Sequence, residues 1–201
     1  MANLDSIIRE VELADLELIV NFISQKSDFD GCRNLLAATA DKLQKTLFFQ
    51  PPLVRLLLAE VAKKAVGFAL FYSSYSSLLT QPCLWLDDLF VQAPMRGMGV
   101  GTALLKYLAQ IAESTHCGRM EWTVNTGNAP GIAFYEKQGA QILENIRVCR
   151  IDGMELVCLL VNNLITNREG AKNANRRKEK REKRRGKKRR DVRKFLEFSS
   201  L

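Results

Sequence analysis

The chain has 201 residues, 47% of them hydrophobic, enough for one globular domain with a core of its own. Its net charge of +8 conceals an asymmetry: residues 1–167 hold 14 Lys/Arg against 17 Asp/Glu, whereas residues 168–201 hold 16 against 5. Five cysteines without a CxxC pair and a single histidine argue against a zinc site or a disulfide framework, so a reducing compartment and no metal are expected. Met1-Ala2-Asn3-Leu4-Asp5 lacks the basic start and apolar run of a signal peptide, and no window is apolar for the length of a membrane span. The expectation is a cytoplasmic protein without a membrane partner.

In chain order, Ser6–Arg9 reads as a short strand, and Leu13–Ile23 spaces its apolar residues along one helix face. Asn34–Phe48 reads as a second helix, stopped by Pro51-Pro52. Leu53–Val61 and Val66–Tyr75 form a strand pair, followed by a strand over Pro82–Val91. A helix over Gly101–Glu113, a strand over Met120–Val124 and a short helix over Pro130–Gln138 come next. Gln141–Arg150 and Met154–Val161 read as a closing hairpin turned at Asp152-Gly153. Hairpins mixed with helical crossovers predict an α+β layer with a mixed sheet.

The joint between the Pro82–Val91 strand and the following helix carries the chemistry. Arg96-Gly97-Met98-Gly99-Val100-Gly101-Thr102 places three glycines at a helix start, where backbone N–H groups and the helix dipole attract an anion such as a phosphate. Asp87 and Asp88 lie just upstream and, as neighbours on a strand, are expected to point to opposite faces. An anion site beside carboxylates suggests a phosphate-bearing cofactor meeting a cationic substrate.

Arg96-Gly97-Met98-Gly99-Val100-Gly101 resembles the R/Q-x-x-G-x-G/A loop of the GNAT superfamily of acetyl-CoA-dependent N-acetyltransferases. Asn128-Ala129-Pro130-Gly131-Ile132-Ala133-Phe134-Tyr135-Glu136-Lys137-Gln138-Gly139-Ala140 is similar to its second signature. Val66–Tyr72, Trp85–Val91 and Phe134–Ala140 look most like the spermidine/spermine (diamine) acetyltransferase branch. That branch usually carries Glu where Asp87 stands, Tyr-Glu where Phe29-Asp30 stands, and an acidic residue where Ser76 or a neighbour stands.

The resemblance implies a GNAT-type acyl-CoA N-acyltransferase fold, a mixed and mostly antiparallel sheet with helices on both faces, over residues 1–165. It implies that acetyl-CoA is the acyl donor and a small primary amine the acceptor. Arg96, Gly97, Met98, Gly99, Val100, Gly101 and Thr102 would hold the pyrophosphate. Leu89, Phe90 and Val91 would meet the pantetheine arm through their backbone, with Asn128, Ala129, Pro130 and Gly131 beside it, while Lys137 reaches a cofactor phosphate. Asp87 would take the proton of the amine, which at a lysine-like pKa of about 10.4 arrives charged at neutral pH. Tyr135 would protonate the departing thiolate. Phe29, Asp30 and Trp122 could bound the amine pocket with aromatic faces and charge. His116 and the cysteines are read as non-catalytic, the cysteines as packing residues. The branch is commonly dimeric, so a homodimer is expected.

Residues 166–201 break the pattern. Arg176–Arg190 contains no apolar residue and reads as a basic tail, disordered or partly helical, offering nonspecific contact with polyanions or nucleic acid, or a nuclear import signal. Two other functions therefore stay open: acetylation of protein lysines or N-termini, and a non-catalytic acyl-CoA-binding module with a nucleic-acid-binding tail.

Overall fold

Central strands that are apolar on both sides need a layer over each face. The computed structural model, which describes residues 6–159, has both. β1 (Ser6–Glu10), β2 (Arg55–Val61), β3 (Lys64–Ser76) and β4 (Gln81–Val91) pair antiparallel in chain order, and β5 (Met120–Trp122) joins β4 in parallel. On one face Leu56, Leu58, Phe68 and Leu70 pack with Leu16, Ile19 and Phe22 of α1 (Leu16–Phe29) and with Leu43 and Leu47 of α2 (Ala40–Leu47). The alternate residues Leu57, Ala59, Ala69 and Phe71 pack with Leu104, Leu105 and Leu108 of α3 (Val100–Ser114) on the other. A short α4 (Ala129–Lys137) follows β5. The predicted α+β layer, mixed sheet and two-sided helices are all present.

Several boundaries differ from the sequence expectation. α1 continues past Ile23 to Phe29, because its last turns are polar and carry no apolar stripe to read. The helix expected over Asn34–Phe48 is divided into a 3₁₀ turn at Arg33–Leu35 and α2, which begins after Thr39. The Thr39 hydroxyl accepts from the Lys42 N–H at 3.3 Å, and this cap sets the later start. β5 ends at Trp122 rather than Val124.

Residues 1–142 and 143–201 form two separately contacting units, and all the elements named above lie in the first. In the second, the expected closing hairpin is absent from the described residues. Residues 143–152 form no strand and residues 153–159 are helical. The Glu155 N–H donates to the Asp152 carbonyl, so the Asp-Gly pair opens a helix instead of reversing a strand. Met154, Glu155 and Leu156 are good helix formers. Of the cysteines read as packing residues, Cys83 is buried, but Cys149 and Cys158 are exposed. The tail over residues 166–201 lies outside the described residues.

One ion cluster ties β1 to the rest of the first unit. The Arg9 guanidinium donates to both Asp15 oxygens, at 2.7 and 2.9 Å, and to Glu60 at 2.7 Å. The Arg9 bond, opposed by partial burial, holds the Asp15 carboxyl below its ordinary value. A depressed folded pKa gives stability that is present above the unfolded value of about 3.9 and is lost as pH falls through the folded one. Asp15→Asn is therefore expected to lower the urea midpoint at pH 7. The gap from the wild type should close as the pH is taken below the carboxylate range.

Candidate active site

The site starts from an irregularity in β4. Leu70 pairs with Asp88 and Phe71 with Leu86, which leaves Asp87 as the extra residue of a β-bulge. Leu86 and Leu89, an odd number of positions apart, consequently both pack on the α3 side. Strict alternation therefore does not run through the Asp87-Asp88 pair as expected. Asp88 faces α1, where Lys26 Nζ stands 2.7 Å from its Oδ1. Asp87 is exposed and carries no ion pair among the described residues. Its charge reaches the Tyr72 hydroxyl, which burial first and Asp87 second push up. Tyr72 in turn stacks on Trp85, centroids 6.4 Å apart.

The parallel ladder between β4 and β5 ends at Leu86 and Trp122, level with the bulge. Beyond it, Leu89, Phe90 and Val91 are paired only on their β3 side among the described residues. The backbone on the β5 side is where an extended chain could add, as the sequence reading required. The Phe90 side chain itself is committed to the core, in contact with Phe22 and Phe68. Only its main chain can serve a ligand.

The glycine loop leads into α3 with Gly99 at φ +92°, a left-handed conformation that disfavours any side chain. Among the described residues no side chain caps α3, whose first-turn N–H groups lie at the positive end of the helix dipole. Gly101 contributes in a different way. A Cβ there would sit 3.3 Å from the Phe134 ring, so the start of α3 lies directly against α4. The two sequence signatures, apart in the chain, form one surface. Arg96 donates from Nε to the Val91 carbonyl at 2.9 Å and lies over the Phe29 ring at 4.4 Å. Phe29 thus supports the arginine of the loop.

On α4, Tyr135 is half-buried between Trp122 and Phe134, with centroids 5.1 and 5.2 Å away. Burial raises its hydroxyl above the ordinary tyrosine value; Lys26 opposes this, and Asp30 and Asp88 add to it. Those charges locate Tyr135 within electrostatic reach of the acidic cluster. Trp122 is a packing partner of Tyr135 and of the α3-side core. Asn128 caps α4, its Oδ1 accepting from the Gly131 N–H at 3.1 Å. Ala129 and Pro130 form the first turn after it. Lys137 is exposed in the last turn, where a cation suits the helix dipole.

Lys26 was missed by the sequence reading. Its ammonium also lies 2.6 Å from Asp30, the residue that caps the end of α1 one turn later, so it bridges Asp30 and Asp88. The Lys26–Asp30 spacing is a familiar helical pair and could have been noticed. The Asp88 contact is tertiary and could not.

Comparison with known proteins adds to this geometry. The family model described as "Acetyltransferase (GNAT) family" matches residues 24–140. The chain is 39% identical over 87 residues, 43% of its length, to the L-ornithine N5-acetyltransferase NATA1 of Arabidopsis thaliana. It is 36% identical over 143 residues, 66% of its length, to the human spermidine/spermine N(1)-acetyltransferase-like protein 1. It spans 38% of the first relative and 20% of the second. Among solved structures, an integron cassette protein from the V. cholerae mobile metagenome superposes with a TM-score of 0.63 at 28% identity, over 77% of this chain and 97% of that one.

Proposed function

The chain belongs to the acetyltransferase (GNAT) family, and from that premise we propose that it transfers the acetyl group of acetyl-CoA to a small primary amine. The observation that carries this reading is the meeting of three features in one unit. The open N-terminus of α3 lies against α4 at Gly101 and Phe134, α4 presents Tyr135, and the β4 bulge presents Asp87 beside the gap between β4 and β5. The first feature suits a pyrophosphate, the second a leaving thiolate, and the third an ammonium. The relatives named for ornithine and for spermidine/spermine favour a small amine over a protein side chain.

In this reading the uncapped N–H groups and Arg96 hold the donor's pyrophosphate, and the side of Leu89–Val91 away from β3, where the Val91 carbonyl already accepts from Arg96, takes its extended arm. Asp87 accepts one proton from the substrate ammonium, directly or through a water, and leaves a neutral amine. The amine nitrogen forms a bond to the thioester carbonyl carbon as the carbon–sulfur bond breaks. Tyr135 gives its hydroxyl proton to the departing sulfur and is recharged by the second proton of the nitrogen. Direct transfer needs no protein nucleophile, which leaves the cysteines and His116 outside the chemistry.

Thiol release from acetyl-CoA by the full chain, measured against mono-, di- and triamines and a lysine peptide, tests the proposal. Turnover on the small amines, exceeding that on the peptide, is the expected result. Faster turnover on the peptide would make the chain a protein acetyltransferase. Donor binding without turnover on any acceptor would remove the enzymatic reading.

A further inference from the structure

Lys26 holds a position that the proposed chemistry does not use. Its ammonium sits between Asp30 Oδ2 at 2.6 Å and Asp88 Oδ1 at 2.7 Å. The three side chains are only 23%, 30% and 20% exposed. An ammonium between two partly buried carboxylates is also what a polyamine would bring with its second nitrogen. Burial works against the charge on Lys26, yet Asp88 and Asp30 outweigh it and hold the ammonium above the ordinary lysine range. The cluster is therefore a closed ionic triad with one net negative charge. Asp87, next in the chain and exposed, remains the carboxylate open to an incoming amine.

We propose that Lys26 is a specificity-determining residue, filling with its own ammonium the place between Asp30 and Asp88 that the second nitrogen of a polyamine would occupy. The chain then favours amines that bring a single ammonium into the pocket, and long polyamines are penalised by having to displace a resident ion. This inference rests on the amine-acetyltransferase reading and narrows its substrate class.

The test is steady-state thiol release by the full chain with propylamine, 1,3-diaminopropane and spermidine as acceptors, for the wild type, Lys26→Met and Lys26→Arg. Met keeps the volume of the aliphatic stem and removes the charge. Spermidine KM is expected to fall about tenfold in Lys26→Met while propylamine KM stays within about twofold, and Lys26→Arg should keep the wild-type ratio. A spermidine-to-propylamine KM ratio unchanged in Lys26→Met, with the wild type turning over, overturns the inference and leaves the enzymatic reading intact. Absence of turnover with every acceptor overturns both.

Should Lys26→Met fail to fold, Asp30→Asn decides. If Lys26 already neutralises Asp30, spermidine KM moves by less than about twofold; if the polyamine itself uses Asp30, it rises about tenfold and the proposal fails.

Discussion

Tyr135→Phe is expected to lower kcat about 10²–10³-fold, within the usual range for loss of a general acid, while the donor's dissociation constant changes little. Only the hydroxyl is removed. The ring keeps its packing against Trp122 and Phe134, so the fold and the adjacent start of α3 are retained. Because burial raises the Tyr135 hydroxyl above its ordinary value, with Lys26 opposing and Asp30 and Asp88 assisting, the group stays protonated throughout the neutral range. Wild-type turnover should therefore show no loss from this group on the alkaline side until the pH exceeds about 10, the ordinary tyrosine value. An unchanged kcat in the phenylalanine variant would exclude Tyr135 as the proton donor. A fall in donor affinity equal to the fall in rate would make it a binding residue instead.

Asp87→Asn is the second large effect. Loss of the exposed carboxylate is expected to lower kcat/KM at pH 7 about 10²-fold, because the substrate arrives as an ammonium and has no acceptor for its proton. Raising the pH toward the amine's own pKa supplies the neutral form from solution. The deficit should therefore shrink steadily between pH 7 and 10, and a pH–rate profile of the variant beside the wild type reads this directly. Asp88→Asn is the comparison. That carboxylate is already bound by Lys26, and its charge is opposed by burial and supported by the lysine. Its replacement should leave Lys26 with Asp30 alone and disturb KM more than kcat. If Asp88→Asn shows the pH-dependent loss and Asp87→Asn does not, the two aspartates exchange roles.

The neighbouring positions of these aspartates show how far local reading reaches. Period-2 alternation describes Leu56 to Ala59 of β2 and Phe68 to Phe71 of β3, but not Val66 and Phe68, which pack on opposite faces because the β2–β3 register skips Val66. It fails at Asp87-Asp88 because a bulge adds a residue to one strand only, and the pairing register that creates it belongs to β3 and β4 together. Phe29 shows the same limit. Its aromatic face is suited to a cation, and the structure stacks the chain's own Arg96 on it at 4.4 Å, a contact between α1 and the glycine loop that no local pattern announces. The hairpin expected after Gln141 failed on a local ambiguity: Asp152-Gly153 can reverse a strand or begin a helix, and the segment after it favours the helix.

The layered α+β fold, the glycine loop at the start of α3 and its companion segment on α4 were all legible in the chain. Each of these depends on residues close together in the chain: apolar periodicity, left-handed backbone at Gly99, a capping asparagine at Asn128. The chain also carried the family, because two such local signatures recur together. The tertiary structure alone decided that Gly101 abuts Phe134, that the parallel ladder stops beside the bulge, and that Lys26 closes Asp30 and Asp88 into a triad. The reason is physical. Local conformation follows from sterics and hydrogen bonds within a few residues, whereas an ion pair between α1 and β4 exists only once hydrophobic packing has brought the two elements together.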